Sequence, residues 1–244
     1  MQIKAVVFDL DDTLIHPGID YSGVKSSVIK FLVKLGITEG LLNENMSNLD
    51  IISRMKEDLR RKNFDEVRIR EIISDVYIMF SEAELRSVDK ARLMDETLEI
   101  LGTLKSLGLK IGVVTNSCSA YAKKILEMFS LNEYIDVLVT RDDVSHHKLD
   151  QEHLLKALRA LGVGVSEVVF VGDHLIDSLC AKNSNVRFIL LRGERRHSRE
   201  AEKNALTVID HLSELLPPAP ATVRIVKEVY LEVNLPWNHL LMRP

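Results

Sequence analysis

Five short runs of apolar residues, rich in Val and Ile, recur along the chain and constrain its fold more than any other feature. Continuous runs of this kind are typical of strands buried on both faces of a parallel sheet. Stretches with helical spacing of apolar residues separate the later runs, and this alternation predicts βαβ units. We therefore expect an α/β protein with a doubly wound, mainly parallel, Rossmann-like sheet. The strand-like runs are residues 3–10, 110–115, 135–140, 167–171 and 186–191, and the helix-like stretches are residues 97–107, 120–129, 151–161 and 177–182.

The alternation is interrupted over residues 16–92, where apolar residues follow a helical period without a convincing strand. An insertion of this size directly after the first strand predicts an all-helical cap domain, and extra helices on the main domain are the alternative. Pro217 and Pro218 cannot continue a helix, so we expect a separate C-terminal tail of unknown role. The predicted division is a core domain of residues 1–15 and 93–215, a cap of residues 16–92 and a tail of residues 216–244.

Charge and composition argue against several functional classes. The 244 residues contain 32 Lys and Arg against 36 Asp and Glu, a formal net charge of −4. Because nucleic-acid binders and proteins of anionic membrane surfaces usually carry net positive charge, we expect neither nucleic acid nor membrane as a partner. No apolar run reaches the about 18 residues that a membrane span needs. Two cysteines are too few for a disulfide framework or a four-cysteine zinc site, so we expect a reduced, cytoplasmic protein.

The first strand-like run ends in a cluster of acidic residues. Asp9 and Asp11 share one side of the strand by its period of two. In open α/β sheets the functional crevice lies beyond the carboxyl ends of the strands, which is where these carboxylates fall. Crowded carboxylates repel one another and favour a hard cation such as Mg²⁺. A surface turn with capping aspartates is the alternative.

Polar residues also follow three later runs. Thr115, Asn116 and Ser117 precede the expected start of a helix, where an oxyanion is favoured, although such a run is also an ordinary helix cap. Lys148 follows the run at 135–140 and could neutralise a phosphoryl group or simply be solvated. Asp173 and Asp177 follow the run at 167–171 and lie one helical turn apart.

These four segments, in this order, resemble the motifs of the haloacid dehalogenase-like superfamily of phosphotransferases. The sequence DLDDT at residues 9–13 looks like its first motif, Thr115-Asn116 like its second, Lys148 like its third and GDHLID at residues 172–177 like its fourth. The resemblance extends from Ile3 to about Leu191 and includes a helical cap inserted after the first motif. Among the branches of the superfamily, the chain looks most like the phosphoglycolate phosphatase group with small helical caps.

The resemblance implies a role for each of these residues. Asp9 would be the nucleophile that forms an aspartyl-phosphate, and Asp11 would protonate the leaving group and then activate water. Dehalogenases of the superfamily lack an aspartate at the position of Asp11, so its presence favours phosphate-ester chemistry. Mg²⁺ would screen the nucleophile from an anionic substrate. The implied metal ligands are the Asp9 carboxylate, the Asp11 carbonyl and the Asp173 carboxylate, with Asp177 supporting them, and the implied phosphate-binding residues are Thr115, Asn116 and Lys148.

The resulting expectation is a Mg²⁺-dependent phosphatase for a small phosphorylated metabolite, with a cap that closes over the substrate and excludes water. A sugar phosphomutase on the same scaffold and a catalytically silent binding protein are the alternatives, and the sequence leaves a homodimer open. Adjacent His146 and His147 suggest a metal site, but side chains of neighbouring residues in an extended segment diverge. Cys118 is expected to be a buried structural thiol, and His174 either contacts substrate or packs at the rim of the site.

Overall fold

The structure is a computed structural model, and it describes residues 2–144, 148, 150–192 and 199–216. His146, His147 and the predicted tail from residue 217 onward lie outside the described residues. The described chain forms two compact units. One unit is Gly18–Lys90, and the other combines the residues up to Pro17 with those from Ala91 onward.

The strands and helices of the described residues follow in chain order. The strands are β1 (Ala5–Phe8), β2 (Ile15–His16), β3 (Arg92–Leu93), β4 (Lys110–Val114), β5 (Val137–Val139), β6 (Val168–Gly172), β7 (Arg187–Leu191) and β8 (Thr207–Ile209). The α-helices are α1 (Tyr21–Lys34), α2 (Asn48–Arg61), α3 (Glu66–Ser87), α4 (Thr97–Ser106), α5 (Ser119–Met128), α6 (Glu152–Leu161), α7 (Leu175–Asn183) and α8 (Arg199–Asn204).

Six of these strands form a sheet in the order β5-β4-β1-β6-β7-β8, and every neighbouring pair in it is parallel. All four residues of the central strand β1 are buried, as expected for a strand covered on both faces. Helices alternate with the strands from α4 onward. The predicted α/β class with a doubly wound, mainly parallel sheet is therefore confirmed.

Short elements in the structure have no counterpart among the sequence-based predictions. Strand β8 is three residues long and only Ile209 in it is buried, so it carries almost no apolar pattern. Strands β2 and β3 pair antiparallel over two residues each, with Ile15 beside Leu93 and His16 beside Arg92. The strand conformation of segments this short is determined by the residues that surround them in space, because two or three residues cannot show the hydrophobic period of a strand.

The unit Gly18–Lys90 consists of α1, α2 and α3 with their connections, and no strand occurs within it. Each helix begins at a side-chain cap that accepts a hydrogen bond from a backbone N–H of the first turn: Asp20, Ser47 and Asp65. The helices bury their apolar stripes against one another, which gives this unit a core of its own. That core contains Val28, Leu32, Ile37, Leu42, Ile51, Ile52, Met55, Leu59, Ile69, Ile72, Val76 and Phe80. The interpretation of this unit as a cap stays a prediction.

Among the described helices, none combines the length and the apolar character that crossing a bilayer requires.

Candidate active site

The site lies where the central strands of the parallel sheet end. Phe8 in β1 is in register with Val113 in β4 and Val171 in β6, so the chain leaves all three strands at the same edge. The backbone N–H of Asp9 donates to the carbonyl of Val171 at 2.9 Å. This bond extends the hydrogen bonding between β1 and β6 by one residue and fixes the backbone position of Asp9. The first, second and fourth predicted motifs therefore start from one edge of the sheet.

Three carboxylates come together at this edge. Oxygens of Asp9, Asp173 and Asp177 all lie within 4.8 Å of one another, and all three residues are buried. Asp177 is held by α7, and its Oδ2 accepts a hydrogen bond of 3.1 Å from the backbone N–H of His174. The structure thus brings together the predicted nucleophile, one predicted metal ligand and the predicted supporting residue.

Lys148 is buried among these carboxylates. Its Nζ donates to Oδ1 of Asp9 and, at 2.8 Å, to Oδ1 of Asp177. The same nitrogen lies 5.5 Å from the ring centroid of Phe170, a distance at which a cation is attracted by the face of the ring. Lys148 therefore reaches the edge of the sheet as the motif predicted, and in this structure it contacts carboxylates there.

The charges in this cluster shift two pKa values. Burial is the main factor that raises the pKa of Asp9 well above its ordinary value, and the negative charges of Asp177 and Asp173 raise it further. The positive charge of Lys148 acts to lower the Asp9 pKa and so opposes these effects in part. Burial by itself would lower the Lys148 pKa, but the charges of Asp177 and Asp9 outweigh it and hold that pKa above its ordinary value. Lys148 therefore stays protonated beside the three carboxyl groups.

This donor set fits a divalent cation. Three buried carboxyl groups face a single ammonium group, so one positive charge is shared among three potential negative charges. Carboxylate oxygens are the ligands that Mg²⁺ and Ca²⁺ prefer in proteins. The structure therefore supports a divalent cation at Asp9 and Asp173. The Asp11 carboxylate does not belong to this group, and the expected role of the Asp11 carbonyl oxygen as a metal ligand stays a prediction.

The Asp11 carboxylate is bound by hydroxyl groups instead. Its Oδ2 accepts a hydrogen bond of 2.6 Å from Oγ of Ser117, and its Oδ1 accepts one of 2.9 Å from the hydroxyl of Tyr121. Oγ1 of Thr115 lies at the limit of hydrogen bonding, 3.5 Å from Oδ2. Ser117 and Tyr121 were not among the predicted site residues. In the sequence, Ser117 belonged to a polar run that suggested either an oxyanion site or a helix cap, and nothing pointed to Tyr121.

Thr115 and Asn116 hold the loop that follows β4. Oγ1 of Thr115 accepts a hydrogen bond of 3.0 Å from the backbone N–H of Ser117. Oδ1 of Asn116 accepts one of 3.0 Å from the backbone N–H of Lys148, and the Asn116 carbonyl accepts one of 2.9 Å from the guanidinium of Arg141. Arg141, a third residue that was not among the predicted site residues, is buried two residues beyond β5. Of the predicted phosphate-binding residues, Asn116 and Lys148 are therefore linked directly by a hydrogen bond.

The two remaining candidates have structural contacts. His174 is the N-cap of α7, and its Nδ1 accepts a hydrogen bond of 3.2 Å from the backbone N–H of Ile176. Cys118 is buried and forms no disulfide, which agrees with the predicted structural thiol.

Comparison with known proteins identifies the family. The family model for haloacid dehalogenase-like hydrolases matches residues 6–191. PpaX of Clostridium perfringens (strain 13 / Type A) is 33% identical over 188 residues, which are 76% of this chain and 82% of that protein. Pyrophosphatase PpaX of Bacillus cereus (strain AH820) is 30% identical over 221 residues, 89% of this chain and 96% of that protein.

A solved structure shows the same fold. The structure of a predicted phosphoglycolate phosphatase from Haemophilus somnus 129pt superposes with a TM-score of 0.63 at 18% sequence identity, and the match covers 88% of this chain and 97% of that one. The matched family region contains β4, β6, all of β1 except its first residue, and the acidic cluster at the ends of these strands. The resemblance inferred from the motifs is confirmed, and the chain belongs to the haloacid dehalogenase-like hydrolase family, as one of its phosphatases.

Proposed function

We propose that the protein is a Mg²⁺-dependent phosphatase that hydrolyses a small phosphorylated metabolite through an aspartyl-phosphate on Asp9. The observation that carries this proposal is the buried cluster at the edge of the sheet, in which the Asp9 carboxylate is bound by Lys148 and lies within 4.8 Å of Asp173 and Asp177 oxygens. A buried nucleophile with a fixed cation beside it suits attack on an anionic phosphoryl group.

Asp9 performs the first step by forming a bond from its carboxylate oxygen to phosphorus while the bond from phosphorus to the leaving oxygen breaks. Lys148 supports this role in two ways. Its positive charge opposes the protonation of Asp9 that burial favours, and it attracts the phosphoryl oxygens to the same place. Asp177 keeps Lys148 charged and oriented through their 2.8 Å hydrogen bond. Thr115 and Asn116 complete the phosphate-binding set at the end of β4.

Asp11 donates a proton to the leaving oxygen in the first step and accepts a proton from water in the second, in which that water attacks phosphorus and releases Asp9. Asp11 is partly exposed, in contrast to buried Asp9. The two carboxylates thus have different surroundings, as two groups with opposite protonation tasks require.

A divalent cation held by the Asp9 carboxylate, the Asp11 carbonyl and the Asp173 carboxylate would screen the nucleophile from the charge of the substrate. The three grouped carboxylates support this assignment, and Mg²⁺ is the cation that we propose because it is commonly bound by one or two carboxylates together with substrate phosphates.

The first substrate to test is inorganic pyrophosphate. Two relatives with at least 30% identity carry the PpaX name, and the Bacillus cereus protein is named a pyrophosphatase. Pyrophosphate contains a phosphoryl group whose leaving group is itself a phosphate, so Asp9 could attack it as it attacks an ester. We propose small phosphorylated compounds as the substrate class, with pyrophosphate as its first candidate.

The test measures phosphate release from pyrophosphate and from an aryl phosphate, with Mg²⁺ and with a chelator. We expect the wild-type protein to be active only with the cation, and Asp9→Asn to be inactive on both substrates. Asp75→Asn is the matched control, because Asp75 is exposed on α3. Equal activity of the wild-type protein and Asp9→Asn would contradict the assigned nucleophile. Isomerisation of a sugar phosphate faster than phosphate release would identify a mutase instead.

A further inference from the structure

The segment from Ser117 to Tyr121 holds both oxygens of the Asp11 carboxylate. Ser117 donates to Oδ2 at 2.6 Å and Tyr121 donates to Oδ1 at 2.9 Å. Two donors on the two oxygens define the plane of the carboxylate and oppose its rotation about the Cβ–Cγ bond. Both distances lie within the normal range for O–H···O hydrogen bonds, and the Ser117 contact is at the short end of that range.

Both donors are fixed by the surrounding structure. Tyr121 is fully buried in the first turn of α5, so its ring cannot leave without opening the core. Ser117 is fixed through its backbone: its N–H donates to Oγ1 of Thr115 at 3.0 Å, and its carbonyl accepts from the N–H of Arg141 at 3.1 Å. The backbone of Ser117 and the ring of Tyr121 are therefore held in place before any substrate binds.

We propose that Ser117 and Tyr121 are positioning residues that orient the Asp11 carboxyl group for proton transfer to the leaving oxygen. This inference rests on the proposed function, in which Asp11 is the acid. Proton transfer requires the donor and acceptor oxygens to come within hydrogen-bonding distance in a narrow range of orientations. A carboxyl group that rotates freely spends less time in that orientation, so loss of either hydroxyl lowers the rate of the step that Asp11 assists.

The positioning role of Ser117 and Tyr121 can be distinguished from a merely structural role by how the rate of ester hydrolysis depends on the leaving group. When the ester bond breaks, the phosphoryl group passes to Asp9 and the leaving oxygen takes the proton of Asp11. Phenolate is a strong base and needs that proton, whereas para-nitrophenolate leaves readily without it. A defect in positioning Asp11 therefore slows phenyl phosphate more than para-nitrophenyl phosphate, and a general loss of folded protein slows both equally.

The experiment compares kcat/KM for the two esters in the full-length protein with Mg²⁺, because kcat/KM reports the steps up to the first release of product. We expect Tyr121→Phe to lower kcat/KM for phenyl phosphate about tenfold more than for para-nitrophenyl phosphate, which corresponds to the loss of about one hydrogen bond. Ser117→Ala removes the other donor and should change the ratio in the same direction. Tyr134→Phe is the matched control, since Tyr134 follows α5 in sequence and has no part in the site.

An unchanged ratio of the two kcat/KM values in both Tyr121→Phe and Ser117→Ala overturns the inference. If Tyr121→Phe fails to fold, Ser117→Ala decides the question alone, because it removes a hydroxyl from a loop rather than from the core. Failure of the proposed function gives a different result: the wild-type protein then releases phosphate from neither ester. Wild-type activity that Asp9→Asn abolishes, combined with an unchanged ratio in the two hydroxyl variants, contradicts only the positioning role.

Discussion

The Nζ of Lys148 donates a hydrogen bond of 2.8 Å to Oδ1 of Asp177, and the side chain of each residue is only 3% exposed. A buried ion pair of this kind is costly to break on one side, because the remaining charge stays in the interior without a partner. The stability of the folded state and the geometry of the candidate site therefore both depend on the contact between Lys148 and Asp177.

Replacing Lys148 by Met should lower both activity and stability. The variant leaves Asp9 and Asp177 buried without their shared counter-charge. We expect the free energy of unfolding to fall by about 3–5 kcal/mol and phosphate release to fall at least about a hundredfold. Urea denaturation and the phosphate assay measure the two effects. Lys182→Met is the control, because Lys182 is exposed on α7; equal stability of the two variants would show that the buried pair is not needed.

Mg²⁺ should stabilise the wild-type protein against unfolding. A ligand that binds only the folded state at a concentration of about 100 times its Kd adds about 2.7 kcal/mol. Asp173→Asn removes one carboxylate of the cluster, so we expect its unfolding midpoint to respond much less to the cation. Thermal denaturation with and without Mg²⁺ measures the shift, and Asp75→Asn should retain the full wild-type response. The same shift in Asp173→Asn as in the wild-type protein would place the cation elsewhere.

Gly172 should not tolerate a side chain. A Cβ at this position would lie 2.7 Å from Cβ, Cγ and Oδ2 of Asp177, so the carboxylate would have to move away from Lys148. We expect Gly172→Ala to lose about 1–3 kcal/mol of stability together with most of its activity. Gly102→Ala makes the same change inside α4, where the nearest atom is 3.7 Å away, and should be neutral or more stable by up to about 1 kcal/mol. Similar behaviour of the two variants in urea would refute this prediction.

Asp58 should make the helical unit sensitive to acid. Hydrogen bonds from Lys62, and then from Thr38, lower the pKa of Asp58 below its ordinary value despite its burial. A lowered pKa means that the ionised form stabilises the folded state. This contribution is complete above the unfolded pKa of about 3.9 and is lost as the pH falls through the lower folded value.

The corresponding measurement is urea unfolding of the wild-type protein and Asp58→Asn across acidic pH. We expect the variant to be less stable by about 1–3 kcal/mol at pH 7, and the difference to shrink below about pH 4. Glu57→Gln, a change at an exposed neighbour whose ion pair with Arg61 spans 3.6 Å, should have little effect. A difference between wild type and Asp58→Asn that does not vary with pH would rule out this account.

The two cysteines should be unreactive in the folded protein. Both are free and buried, and burial raises the pKa of the Cys180 thiol to about 12. Because the thiolate is the reactive form, a thiol reagent at mildly alkaline pH should modify neither Cys118 nor Cys180 until denaturant is added. Absorbance of the released chromophore counts the modified thiols. Rapid modification of the native protein, at a rate independent of denaturant, would contradict the burial of these residues.

The sheet and the acidic cluster could be predicted from the sequence because they depend on simple rules. Continuous apolar runs identified the buried strands, and the carboxyl ends of parallel strands meet at one edge, so Asp9 and Asp173 were expected to be neighbours. The hydroxyl contacts of Asp11 could not be predicted in this way. Tyr121 reaches Asp11 only through the packing of α5, and Arg141 reaches the Asn116 carbonyl only through the loop beyond β5. Such contacts depend on side-chain directions in three dimensions, which spacing along a chain does not specify.

The pairing of His16 with Arg92 has a consequence for how proteins with this fold can diversify. The pairing of β2 with β3 holds the two ends of the inserted segment, residues 18–90, side by side. The entropic cost of closing an inserted segment between fixed ends grows only with the logarithm of its length. A change in the length of this inserted segment, or its replacement by another, would therefore cost the parallel sheet little free energy. Evolution and protein engineering alike could vary this one segment widely while the chemistry at the strand ends is inherited unaltered.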